Sequence, residues 1–283
     1  MIISIFFLFF IYSTSLNVKK SDIKNLIYPR SYNQYNYFNE LKNIENKLII
    51  GVGPAGCGKT YFACQEAINE LQKKSINKII ITRPLISVDR EDLGFLPGKM
   101  TEKMDPWTKP IVDVLCELLS KETIENMIIC NNIELTPLAY MRGRTFKNTF
   151  IIADEMQNSS PQQMRMLTTR IGDGSKMIIN GDLDQSDYYK NEKNGLYDII
   201  EKIKMYNMDR RNIQNKDMYQ NKITICNMNN SDIYRSPIVT KILDIYNYVP
   251  FNHTLYSENH YPPYRSVQKT QEGDYNPFIH EMD

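Results

Sequence analysis

Histidine is scarce: the 283 residues hold three, His253, His260 and His280, all in the last stretch of the chain. That placement excludes histidine-based catalysis or a histidine zinc site in the body of the protein. The five cysteines (57, 64, 116, 130 and 226) include no Cys-x-x-Cys pair and are odd in number. They form neither a disulfide framework nor a zinc module. Net charge is only +1, so no global field draws the chain to nucleic acid or an anionic membrane. Any such binding must come from a local patch. A long apolar run is missing too. Ile2 to Tyr12 is almost wholly apolar but falls short of the ~20 residues that span a bilayer as a helix.

That short run has the length of a signal-peptide core, with Ser13-Thr-Ser15 as small residues for cleavage. Its basic flank is absent, and a short membrane anchor or a mis-assigned start are the alternatives. Residues 1–16 are thus read as a leader, and no stable membrane span is expected once it is removed. Residues 17–30, with Lys19, Lys20, Lys24, Arg30 and the single acid Asp22, read as a basic transit-like or linker segment. Together they suggest entry into the secretory route and onward passage to a plastid-type organelle; the alternative is a cytoplasmic protein. Residues 251–283, rich in Tyr, Asn, Pro and His without periodicity, read as a disordered tail. Between these ends, residues 31–250 form the expected domain, with a polar surface insertion over Lys204–Asn221.

The decisive run is Gly53, Pro54, Ala55, Gly56, Cys57, Gly58, Lys59 and Thr60, which fits Gly-x-x-x-x-Gly-Lys-[Ser/Thr]. Leu48–Val52 before it reads as a buried strand. Tyr61–Lys74 after it reads as an amphipathic helix with Ala63, Ala67, Ile68 and Leu71 on one face. Backbone N–H groups freed by the glycines turn towards phosphates at the positive end of that helix. Lys59 would reach the β- and γ-phosphates, and Thr60 would ligate Mg²⁺. Cys57, inside this loop, favours a reducing compartment.

Phe150-Ile-Ile-Ala-Asp154-Glu155 reads as a second buried strand that delivers two acids at its carboxyl end. Asp154 would hold the metal's hydration shell and Glu155 would polarise the attacking water. The bland alternative is an ordinary acidic helix start. A third strand, Lys176–Asn180, leads into Gly181-Asp-Leu-Asp-Gln185. Gln185 could sense the γ-phosphate, or sit in a polar turn. Further strands are expected at Lys78–Thr82, Ile128–Leu135 and Lys222–Asn227. The alternation predicts an α/β fold, a P-loop NTPase of RecA-like type, whose mostly parallel sheet carries helices on both faces.

In order along the chain, Thr82-Arg-Pro84, Leu93-Gly-Phe-Leu-Pro-Gly98, Asp105-Pro-Trp107, Pro137-Leu-Ala-Tyr-Met-Arg-Gly-Arg-Thr145, Asp154-Glu-Met-Gln-Asn158, Thr169-Arg-Ile-Gly172 and Gly181-Asp-Leu-Asp-Gln185 accompany the phosphate loop. This set resembles the PhoH-like P-loop ATPases, from about Ile27 to Tyr246. That family is similar to the first motor lobe of superfamily 1 helicases. Cys57 stands where the family usually has Thr, and Met156 where it has Ala. The resemblance implies that Gln34 reads an adenine edge and that Tyr37 packs near the base. Among the arginines in family-like motifs, Arg235 and Arg144 are the candidates for meeting the γ-phosphate charge; a structural salt bridge is the alternative for each. Arg83 and Arg142 could instead touch nucleic-acid phosphates, and Arg170 falls in the same motif set.

The resemblance implies Mg²⁺-dependent ATP hydrolysis with ATP and Mg²⁺ as ligands; its output could be coupling to single-stranded RNA or DNA, work as a homo-oligomeric ring, or a nucleotide-driven switch on RNA or a protein client. The rival from another class is an interaction module that binds ATP with little or no hydrolysis. A small-molecule kinase would share the phosphate loop, but this chain lacks a clear arginine-rich lid after the central helix.

Overall fold

The computed structural model describes residues 26–84, 100–186, 194–210 and 222–234, with isolated positions at 238, 241–242 and 245. Contacts divide the chain into a unit ending at Arg235 and a second from Ser236 to Asp283; the elements named below all belong to the first. The leader, the 251–283 tail, the Leu93–Gly98 motif and Arg235 lie outside the described residues.

Among the described residues, six strands form one parallel sheet in the order β3-β2-β4-β5-β1-β6. They are β1 (Asn46–Val52), β2 (Lys78–Arg83), β3 (Ile133–Pro137), β4 (Thr149–Ala153), β5 (Lys176–Gly181) and β6 (Lys222–Asn227). β4 and β5 are buried along their whole length, as expected of parallel strands covered on both faces. One face packs Ile49, Ile79, Ile81, Phe150, Ile152 and Ile178 against apolar residues of α1 (Tyr32–Lys42), α2 (Lys59–Gln72), α3 (Met100–Leu118) and α4 (Lys121–Ile129). The other packs Ile50, Ile80, Ile151 and Ile179 against α5 (Pro161–Thr168) and α6 (Gly195–Arg210). The alternation of isoleucines along each strand is the period-two pattern of a sheet with two buried faces. The fold is therefore α/β with both faces covered, as the sequence indicates.

Local chemistry sets the helix ends. Ser31 caps α1 by accepting from the Gln34 N–H. Ser160 and Gln163 form a reciprocal capping box ahead of Pro161, fixing the start of α5.

Two expected elements are displaced. The strand expected at Ile128–Leu135 begins at Ile133, because α4 runs to Ile129 and a turn through Asn131, at φ 61°, reverses the chain. The apolar run Met127-Ile-Ile129 is shared by a helix end, which local pattern does not distinguish from a strand. The polar stretch expected to begin an insertion at Lys204 instead continues α6 to Arg210. Ion pairs Lys202–Asp198 and Lys204–Glu201 lie along its exposed side; residues 211–221 lie outside the described set.

Candidate functional site

The carboxyl ends of β1, β4 and β5 converge on one cavity of about 230 Å³, lined by the phosphate loop, Asp154, Glu155, Asp182 and Gln185. The loop is built for close approach. Gly56 and Gly58 hold positive φ of 86° and 93°, a region costly for side-chain-bearing residues. A Cβ on Gly58 would also lie 2.9 Å from the Phe62 ring. Gly58 is the N-cap of α2, so the helix opens at Lys59 with its free N–H groups facing the cavity side. The Gly53 N–H donates to the Gly181 carbonyl (3.1 Å), tying the loop to β5.

Lys59 is buried, its Nζ 2.6 Å from the Gly53 carbonyl and 2.9 Å from that of Pro54. Cys57 is fully buried, and its sulfur lies 3.6 Å from the same Nζ. Burial pushes the thiol's pKa up against the pull of Lys59. Ala55, Gly56, Gly58, Lys59 and Thr60 line the cavity, whereas the Cys57 side chain faces the core.

Thr60 Oγ1 donates to Asp154 Oδ1 (2.9 Å). β5 lies between β1 and β4, the strands that lead to the two residues, a gap of about 10 Å at the usual strand spacing. The first turn of α2 bridges it. Burial raises the Asp154 pKa, with repulsion from Glu155 adding to it; Arg83, Thr60 and Lys59 oppose the shift. Such a site suits a cation. One hydroxyl and one carboxylate oxygen, with no cluster of three or more acidic, cysteine or histidine side chains among the described residues, is a donor set for Mg²⁺ that keeps waters and phosphate oxygens as its other ligands.

Glu155 sits in the left-handed region (φ 54°, ψ 36°), a conformation that costs about 1 kcal/mol or more outside glycine and clusters at functional sites. Arg83 Nη2 donates to its Oε1 (3.1 Å) and lies 3.6 Å from Asp154 Oδ2. Arg83, read from sequence as a nucleic-acid contact, is thus engaged with the acid pair. Gln185 is exposed at the cavity rim, in a short 3-10 turn capped by Asp182.

The other sequence candidates fall elsewhere. Arg144 forms a two-pronged ion pair with Glu134 (2.5 and 2.9 Å) and lies over the Phe146 ring. Glu134 belongs to the edge strand β3, four strands from β1, and Arg144 does not line the cavity. Gln34 is buried, with its amide committed to backbone: Nε2 donates to the carbonyls of Cys57 (3.1 Å) and Asp232 (2.9 Å), and Oε1 accepts from the Arg30 N–H. Tyr37 is wholly buried beneath the loop. Its hydroxyl lies 2.8 Å from Asn180 Oδ1 and 3.3 Å from the Lys59 carbonyl. With no exposed surface it cannot pack on a base, which corrects the sequence reading. Arg142 is exposed and Arg170 half-buried, the latter donating to the Met166 carbonyl.

The PhoH-like protein family profile matches residues 26–247. The chain belongs to the PhoH-like family. It is 42% identical to a PhoH-like protein of Bacillus subtilis over 71% of this chain and 58% of the relative. It is 38% identical to one of Mycobacterium tuberculosis over 78% of this chain and 58% of the relative. The chain thus spans somewhat more than half the length of the curated relatives it matches. A looser likeness is to the Pif1 helicase of Candida albicans, 13% identical with a TM-score of 0.36, over 79% of this chain and 44% of that one; no functional conclusion rests on it. As a PhoH-like chain with this sheet and loop, the protein has the fold of a P-loop NTPase, a nucleotide-binding fold.

In this PhoH-like site one feature escaped sequence reading. The Arg30 guanidinium lies 3.6 Å over the Tyr234 ring, and Tyr234, 71% exposed, donates its N–H to the Gly56 carbonyl (3.3 Å). The segment Asn229–Tyr234 is fixed beside the loop by Asp232, which accepts from Asn33 and whose backbone carbonyl accepts from Gln34. Residues separated by about two hundred positions meet here, and no local motif marks that contact.

Proposed function

We propose that this PhoH-like chain binds and hydrolyses ATP with Mg²⁺, coupled to single-stranded RNA or DNA. The observation that carries the reading is the contact of Thr60 with Asp154 at the head of α2, beside Glu155 and Gln185, on one cavity. The loop N–H groups and Lys59 would hold the β- and γ-phosphates, which requires the Lys59 Nζ to exchange its loop carbonyls for phosphate oxygens. When bound, Mg²⁺ would supply positive charge to offset the charge that develops in phosphoryl transfer. Thr60 and Asp154 would hold it, Asp154 through its hydration shell. Glu155 would accept a hydrogen bond from the attacking water, and Gln185, at the rim, would contact the γ-phosphate side.

No arginine lines the cavity among the described residues. An arginine for the transition-state charge would come from Arg235, outside the described set, or from a second copy in a ring. For nucleic acid, the exposed Arg142 beside the 52% exposed Tyr140 offers the pairing of cation and aromatic that single strands use. A nucleotide switch with little turnover is the second reading, in which the hydrogen bonds from Arg83 and Gln157 hold Glu155 away from the attacking water.

The test is steady-state hydrolysis of MgATP by the full chain and by Glu155→Gln, with and without single-stranded RNA. Turnover that falls at least a hundredfold in the variant supports the enzyme. Stimulation by RNA supports coupling, and its absence points to a protein client. ATP binding without hydrolysis by the unaltered chain replaces the enzyme with the switch.

A further inference from the structure

We infer that Gln157 is a positioning residue that orients Glu155 and ties it to the Gly181–Gln185 loop; the inference rests on the hydrolytic reading above. Gln157 is 1% exposed. Its Nε2 donates to Glu155 Oε2 (2.6 Å), while its Oε1 accepts from the Asp182 N–H (3.1 Å). One primary amide therefore spans from the carboxylate after β4 to the backbone after β5. Asn carries the same amide on a stem one methylene shorter, and an ionised Glu lacks the donor.

The Glu155 side chain is 40% exposed and would otherwise sample several rotamers. Gln157 and Arg83 each donate to a different one of its oxygens. A carboxylate oxygen has two lone-pair sites, so one donor apiece fixes the group and leaves capacity to accept from a water. The left-handed backbone at Glu155 aims the side chain; the two donors hold it.

The other end of the link is equally tight. A Cβ on Gly181 would lie 2.8 Å from Gln157 Oε1 and 2.5 Å from Leu196 Cδ2, so β5 ends in van der Waals contact with the amide. The Ser186 hydroxyl adds a bond to the Gln157 carbonyl (3.2 Å). Movement of the loop carrying Gln185 must then move Gln157, and with it Glu155. The contents of the cavity near Gln185 and the geometry at Glu155 are joined by one side chain.

Gln157→Met keeps the length and severs both bonds; Gln157→Glu keeps an acceptor for the Asp182 N–H but loses the donor to Glu155. In the full chain, MgATP turnover should fall at least tenfold in both variants. KM and the dissociation constant for a fluorescent ATP analogue should stay within about twofold of the unaltered protein. Arg83→Met should shift the same way, and its partly exposed site does not depend on refilling a buried position. Unchanged kcat in Gln157→Met and Gln157→Glu overturns the inference, as does a fall in affinity and melting temperature with kcat preserved. An unaltered chain that binds ATP without turnover overturns the hydrolytic reading instead, and this inference with it.

Discussion

The Thr60 hydroxyl donates to Asp154 Oδ1 across 2.9 Å, although the strands leading to them are separated by β5. The contact requires the α2 N-terminus to lean over β5. It places an acid where burial disfavours its charge. If Asp154 holds the metal as proposed, it does so at a cost to stability.

Asp154→Asn removes that charge and retains an oxygen that can accept from Thr60. The ligand-free variant should melt at or above the temperature of the unaltered protein at neutral pH. The dependence of ATP affinity on Mg²⁺ should fall at least tenfold. Thermal unfolding and nucleotide titrations with Mg²⁺ or with chelator check both halves. A large drop in melting temperature with Mg²⁺ dependence intact contradicts this assignment.

The Arg30–Tyr234 pair offers a stacking platform beside Gly56. Stacking of a base on an aromatic ring contributes about 1–3 kcal/mol, so Tyr234→Ala should weaken ATP binding roughly five- to 150-fold. Binding of inorganic triphosphate, which has no base, should change less than twofold. Competition against a fluorescent nucleotide separates the two. Equal losses for both ligands would mean that Tyr234 only supports the loop.

Much of the site was legible because its signals are local. Gly53 to Thr60 and Phe150 to Glu155 carry their chemistry within eight residues or fewer of contiguous chain, and strands buried on both faces declare themselves by apolar runs. What sequence could not give depends on side chains meeting across the sheet. Arg83 has no local mark that pairs it with Glu155, seventy-two positions away. Tyr37 and Gln34 look alike as polar residues of one helix; only the closure of α1 over the loop buries both. Arg144 and Glu134 are ten positions apart and become neighbours because the chain turns back through Gly143, whose φ is 76°.

Tyr37 is a stability residue under the phosphate loop. Burial lifts its pKa well above the usual tyrosine value, so it remains a phenol. Tyr37→Phe leaves the Asn180 oxygen without that donor, which costs about 1–2 kcal/mol. For a domain of this size the melting temperature should fall by roughly 2–8 °C. Preference for ATP over other nucleoside triphosphates should not change. An altered base preference with unchanged melting temperature would return Tyr37 to the nucleotide site.

Arg144 and Glu134 give a pH test. The hydrogen bond from Arg144, followed by that from Lys78, pulls the Glu134 carboxyl from 4.5 to about 2, against its burial. The folded state thus favours the ionised acid. The stabilisation is complete above about 4.5 and is lost as pH falls through about 2. Because Arg144 is 36% exposed, solvent screening leaves the pair about 1 kcal/mol at neutral pH. Arg144→Met should lower the melting temperature by about 2–4 °C at pH 7, and the gap should narrow steadily between pH 4.5 and the lowest pH at which the fold persists. Its MgATP turnover should stay within twofold of the unaltered chain when measured well below melting. Turnover that collapses while stability is untouched at every pH would instead make Arg144 an arginine given to a neighbouring copy's cavity.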